Sequence, residues 1–349
     1  TLELRHVSEL NCSNLGIADL TGIEHFTELA ALNCENNQLT ALDVSKNTHL
    51  SEIYCGGNQL ATLDLTGLPI KDAETDAGHV QKLTGSYALT GINNGVGQFD
   101  LSQIVGKDNI GNITAVKGAA YDKKTGIARY SAPVETPSYT YATGSSSVSL
   151  TVEFALDLSK LPKSPFTDVK PGAWYFDAAL EASRDKYMVG VSGTEFGSNS
   201  PMTRAMLVVV LHSLAGKPSV SGEMPFTDVT PGAGSWYYNA VLWAYQNNIV
   251  SGISKTAFGP MQNITREQLV TILCRYTEKN APDKAEASAE LTGFADSARL
   301  SDWAVNDMKW AVAQKIISGS ENAGKFYLLP QDNASRAQVA TILMQYRAL

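Results

Sequence analysis

One order of residues recurs three times in the second half of this 349-residue chain, and its spacing is rigid. Phe166-Thr167-Asp168-Val169, Phe226-Thr227-Asp228-Val229 and Phe294-Ala295-Asp296-Ser297 open the copies. Trp174, Trp236 and Trp303 follow, and Gly190, Gly252 and Gly319 each come 16 residues after the tryptophan. An interval that constant requires an element of fixed length. Alanines and other apolar residues at helical spacing inside it (Ala178, Ala179 and Ala182; Ala240, Val241 and Ala244; Met308 and Ala311) predict a helix. Phe196, Phe258 and Phe326 are the expected apolar anchors after the glycines, and second helices are expected over 205–215, 267–276 and 337–346.

The second helices begin at Thr203-Arg204, Thr265-Arg266 and Ser335-Arg336. Thr265 with Gln268, and Ser335 with Gln338, form capping boxes, whereas Met206 leaves the first copy with a cap only. A helix start offers unpaired N–H groups and a partial positive charge, and a first-turn guanidinium beside them fits a carboxylate or phosphate. This predicts an anion site repeated in one register.

The first 70 residues follow a different period. Leu29, Leu32, Cys34, Asn37, Leu39 and Leu42 recur as Leu50, Ile53, Cys55, Asn58, Leu60 and Leu63, offset by 21 residues. Leu10, Cys12, Ile17 and Leu20 form an earlier copy with Leu15 in place of Asn. The pattern resembles leucine-rich repeats, which stack one short strand per turn of a solenoid. The apolar positions, the three cysteines among them, should point into a narrow core as reduced thiols, and each Asn should satisfy backbone groups where the chain leaves the strand.

From about 80 to 160, short alternating strands rich in Thr, Ser and Gly predict a small all-β, sandwich-like module, comparable with the immunoglobulin-like modules that follow repeats in bacterial surface proteins. The charge balance, 27 Lys plus Arg against 35 Asp plus Glu, argues against a nucleic-acid partner. No apolar run is long enough for a membrane span. The four cysteines and five histidines are scattered, so no metal, cofactor or catalytic constellation is expected, and Thr1 reads as a processed or trimmed start.

The triplet resembles the S-layer homology (SLH) family. That resemblance implies three SLH repeats at 163–219, 220–288 and 289–349, packed as an all-α pseudo-threefold trimer, after leucine-rich repeats at 1–79 and a β module at 80–162. It further implies an extracellular protein held non-covalently to the Gram-positive cell wall, with pyruvylated secondary cell-wall polysaccharide as ligand. The family's groove residues fall on Arg204, Arg266 and Arg336, on Asp168, Asp228 and Asp296, on Trp174, Trp236 and Trp303, and on Gly190, Gly252 and Gly319. The family's T-R-A-E glutamate is replaced by Met206, Gln268 and Gln338, and the third copy has 17 rather than 14 residues between glycine and arginine. On these grounds the second copy is expected to bind first and the third last, with Arg266→Ala expected to leave the melting temperature nearly unchanged. One alternative is a surface adhesin whose leucine-rich repeats bind a protein or glycan. Another is an enzyme whose catalytic domain lies upstream of Thr1.

Overall fold

The computed structural model describes residues 3–71, 80–232, 235–286 and 288–349. They form two compact units, Thr1–Lys163 and Ser164–Leu349, each with its own core.

In the first unit, strands β1 (Glu9–Asn11), β2 (Ala31–Asn33) and β3 (Glu52–Tyr54) form a parallel sheet in that order. Leu32 pairs with Leu10 and with Ile53, so equivalent apolar residues stack in register. The Asn37 amide donates to the Cys12 and Cys34 carbonyls and accepts from Leu15 and Ile17 N–H. Asn58 bridges Cys34 and Cys55 in the same way. Each buried amide thus ties two successive turns, satisfying groups that the short strands leave unpaired. Cys12, Cys34 and Cys55 are buried free thiols, and burial pushes the Cys55 thiol up to about 12.

The ladder continues past the third repeat. Gln81 donates to the Cys55 carbonyl and accepts from Leu60 N–H, taking the role of the next asparagine. It lies in β4 (Val80–Ala88), which pairs in parallel with β11 (Ser149–Asp157). β4 and β11 belong to a sheet of order β4-β11-β10-β7, with β10 at Ser138–Ala142 and β7 at Ile113–Val116. The other sheet has order β5-β6-β9-β8: Gly91–Asn93, Val96–Asp100, Ile127–Tyr130 and Ala120–Asp122. A short helix α1 (Ser102–Val105) and a 3-10 segment (Lys107–Asn112) accompany them, so this region is not purely β. Tyr87, Phe99 and Phe154 pack together in the one core that serves ladder and sheets. The expected division at residues 79 and 80 thus falls inside this unit, and residue 79 itself lies outside the described residues.

The second unit has two helices per copy: α2 (Phe176–Arg184) and α3 (Arg204–Leu214), α4 (Tyr238–Gln246) and α5 (Arg266–Asn280), α6 (Val305–Ala313) and α7 (Arg336–Arg347). The caps read from the sequence are present: Thr203 accepts from Met206 N–H, and Thr265 and Ser335 complete capping boxes. The expectation of an all-α arrangement is overturned. An antiparallel pair, β12 (Ser320–Asn322) and β13 (Lys325–Tyr327), lies in the third copy. Bridges Pro201–Ser335, Thr203–Asn263 and Thr265–Asn333 also join the helix starts across copies. The physical reason is that the residues before each N-cap are extended, and their amides and carbonyls pair with a neighbouring copy.

A charged clasp joins the first and third copies. Arg347 on α7 lies 2.6 Å from Glu181 and 2.8 Å from Asp185, with its guanidinium over the Tyr187 ring. Hydrogen bonds from Arg184 and Arg347 hold the Asp185 carboxyl down at about 2, against an ordinary 3.8. A depressed carboxyl contributes stability above its unfolded value, and that contribution disappears as pH falls through the folded one. The melting temperature should therefore drop as pH is lowered from about 4 towards about 2, and Asp185→Asn should flatten that part of the curve. An unchanged slope in the variant would remove the clasp from the acid response.

Candidate functional site

The three arginines do not stand free at their helix starts. Arg204, Arg266 and Arg336 are all buried, each reaching into another copy. Arg204 Nε donates to the Phe258 carbonyl, Arg266 Nε to Leu328 and Arg336 Nε to Phe196, a cyclic exchange in which each copy grips the next. Arg204 Nη2 also donates to the Ser251 carbonyl at 3.0 Å, and Arg336 Nη2 to that of Val189. Burial pulls all three guanidinium pKa values down, but arginine stays charged. Arg266 therefore cannot be removed without consequence for folding. Its loss strands the Leu328 carbonyl and opens a gap between copies.

The helix-start amides are occupied as well. Arg204 and Ala205 N–H donate to Gln262 and Pro260, Arg266 and Glu267 to Asp332 and Pro330, and Arg336 and Ala337 to Ser200 and Ser198. The predicted anion site of backbone amides is thus filled by carbonyls of a neighbouring copy. Arg204 and Arg266 nonetheless each line a groove.

The aspartates serve the same framework. Asp168 accepts from Phe196 and Ser198 N–H, Asp228 from Phe258 and Gly259, and Asp296 from Leu328 and Leu329. Each thereby pins the loop whose carbonyl receives a neighbour's arginine. Burial opposes ionisation of Asp168, but the hydrogen bonds from Ser198 and Phe196 outweigh it and lower its pKa.

The equivalence of copies corrects one assignment. Leu328, fully buried, occupies the place of Phe196 and Phe258, whereas Phe326 is 47% exposed. The three additional residues of the third copy form part of the β12–β13 hairpin, which carries the aromatic outward and moves the anchor along the chain.

The glycines do not terminate the first helices. Those helices are closed by the left-handed residues Lys186, Asn248 and Lys315, two positions past their last helical residue and four before the glycines. A Cβ on Gly252 would lie 2.5 Å from the Ala257 carbonyl oxygen and 2.7 Å from the Phe226 ring, besides meeting the Ser254 oxygen. Gly190 is similarly enclosed by Glu195 and Phe166, and Gly319, at φ +80°, by Phe294. The phenylalanine that opens each copy therefore presses on the glycine of the same copy.

Trp174, Trp236 and Trp303 remain 54–56% exposed, unlike the buried Trp243 and Trp310. Two grooves use Trp303 and Trp174. One, of about 480 Å³, is lined by Arg204, Ser251, Gly252, the α5 residues Gln268, Thr271 and Arg275, and Trp303. The other, of about 220 Å³, is lined by Arg266, Ser318, Gly319, the α7 residues Gln338, Thr341 and Gln345, and Trp174. Each takes its arginine from one copy, its glycine and helix face from a second and its tryptophan from the third. Arg266 is thus not grouped with Gly252 and Trp236 of its own copy. The aspartates line neither groove. The floor residues Gln268, Thr271 and Arg275 were missed in the sequence, although their i, i+3, i+7 spacing marks one helix face.

Residues 165–205, 225–270 and 293–340 match the profile of the S-layer homology domain, and the chain carries three such domains. Among curated relatives, an endoglucanase from Bacillus sp. (strain KSM-635) is 29% identical over 53% of this chain and 19% of its own length. The surface-layer 125 kDa protein of Lysinibacillus sphaericus is 34% identical over 35% of this chain and 10% of its own. Internalin J of Listeria monocytogenes is 48% identical over 13% of this chain and 5% of its own. The chain therefore spans at most 19% of the length of these relatives. The SLH domains place it at the cell wall or surface of a Gram-positive bacterium and support the anchoring of a surface protein there.

Proposed function

We propose that the two three-copy grooves bind pyruvylated secondary cell-wall polysaccharide, and that the leucine-rich ladder and β module are displayed outward from the wall so anchored. The observation that carries this reading is the composition of each groove: a guanidinium held from behind by at least one backbone carbonyl, a tightly enclosed glycine and a half-exposed tryptophan. A pyruvate ketal carries one carboxylate, which a fixed guanidinium receives by charge-assisted hydrogen bonds. Its sugar ring has an apolar face that lies against indole. Arg204, Arg266, Trp174, Trp303, Gly252 and Gly319 form these two sites, with Arg336, Trp236 and Gly190 as the third set of the same register. Asp168, Asp228 and Asp296 act as braces. No catalytic step is assigned to this chain, and the similarity to an endoglucanase concerns its anchoring portion. The division at 163–219, 220–288 and 289–349 belongs to the same reading.

The purified chain should sediment with native Gram-positive walls and far less with walls stripped of pyruvate. Replacing both Trp174 and Trp303 by alanine should weaken sedimentation about tenfold or more, on the order of 0.5–1.5 kcal/mol for each lost aromatic contact. The melting temperature should barely move, because both rings are exposed. Equal binding to intact and stripped walls would overturn the proposal.

A further inference from the structure

The two grooves differ in charge, and the difference lies on the floor helix. Counted from the helix-start arginine, α5 presents Gln268, Thr271, Ile272 and Arg275, whereas α7 presents Gln338, Thr341, Ile342 and Gln345 at the same positions. Three of the four are chemically matched, and the fourth is a cation in one groove and a neutral amide in the other. Among the described residues, no carboxylate lies within ion-pair distance of Arg204 or Arg275. The nearby Asp307 carboxylate instead accepts the Thr271 hydroxyl.

Arg204 and Arg275 also enter the groove from separate points of the backbone. The residues flanking Arg204 pair beside the start of α5, with Thr203 bridged to Asn263 and Arg204 N–H bonded to Gln262. Arg275 follows Gln268 by seven positions, about 10 Å further along the helix. Phe258 and Ser251 carbonyls fix the first cation, while Arg275 is half-buried on the groove floor.

We propose that the Arg204–Arg275–Trp303 groove recognises a saccharide segment bearing two separate carboxylates, while the Arg266–Trp174 groove accepts one. Arg275 is the residue that sets this specificity. The same register on α3 holds Met206, Val209, Val210 and Ser213, with no cation or amide to add to Arg336. The first arginine, rather than the second, thereby heads the stronger site. This inference rests on the carboxylate-binding reading of the grooves.

Isothermal titration of the full chain carrying Trp174→Ala, which disables the Arg266 groove, separates the possibilities. The probes are a monosaccharide with one pyruvate ketal, a disaccharide with one ketal on each ring, and inorganic phosphate. The disaccharide should bind about tenfold or more tightly than the monosaccharide, the range of one charge-assisted contact. Arg275→Gln should bring disaccharide affinity down to within about twofold of the monosaccharide affinity measured on the same variant, and Arg275→Lys should restore part of the difference. Equal binding of the two sugars, an unchanged advantage in Arg275→Gln, or phosphate competing as well as the disaccharide would each overturn the inference while leaving wall anchoring standing. If the native chain binds neither sugar, the carboxylate-binding reading fails and this specificity with it.

Discussion

Gly252→Ala should be among the most damaging single-methyl changes in the SLH portion. The new carbon would meet two carbonyl oxygens of its own turn and the Phe226 ring. None of these is a flexible side-chain end. Phe226 is itself packed on Phe258, and the Phe258 carbonyl holds Arg204, so relief of the clash must travel into the next copy. Overpacking of this kind costs about 3 kcal/mol. For a unit of this size the melting temperature should fall by roughly 6–12 °C. Binding in the Arg204 groove should be lost even below that temperature, because the displaced turn carries the carbonyls that aim Arg204. Thermal unfolding and titration on the same sample test both parts. A variant that melts normally would show that the turn has room the structure does not display.

Asp296→Ala should be comparably severe for a different reason. The carboxylate is buried and accepts the N–H groups of Leu328 and Leu329. Its removal leaves both donors without partners in a water-poor site, at about 1–3 kcal/mol each, or roughly 2–6 kcal/mol in all. Asp296→Asn retains one acceptor and should recover about half. Since Leu328 O receives Arg266 Nε, the alanine variant should weaken the Arg266 groove more than the Arg204 groove. Chemical denaturation, with titration of each groove, tests this. Equal losses in both grooves would mean that Asp296 acts on the whole unit rather than on its own loop.

Much of this was legible in the sequence because the copies share a register. The Trp–Gly interval located α2, α4 and α6, and the capping residues located the second helices to within a residue at their starts. Asn37 and Asn58 were recognisable as ladder amides, but Gln81 was not, because a longer amide in a strand of different texture conceals the same role. The grooves were harder to read. Chain order puts Arg266 beside Gly252 and Trp236, whereas folding brings it to Gly319 and Trp174. A motif read along one copy carries no information about which copy it will face. The helix-start amides looked available for the same reason: their partners, such as Asp332 and Pro330, belong to another copy. Phe326 looked like an anchor by its ring alone, and the hairpin that turns it outward is specified only by three additional residues.

The cyclic grip of Arg204, Arg266 and Arg336 has a consequence for how such a segment can be inherited or engineered. A copy excised alone would take with it an arginine with no carbonyl to hold, and would leave two neighbours each missing a wall. A fourth copy inserted into the series would find no open carbonyl for its arginine and no free arginine for its carbonyl without breaking the ring. The unit of gain, loss or transplantation is therefore the complete set of three, while single residues such as Arg275 can drift independently and retune one groove at a time.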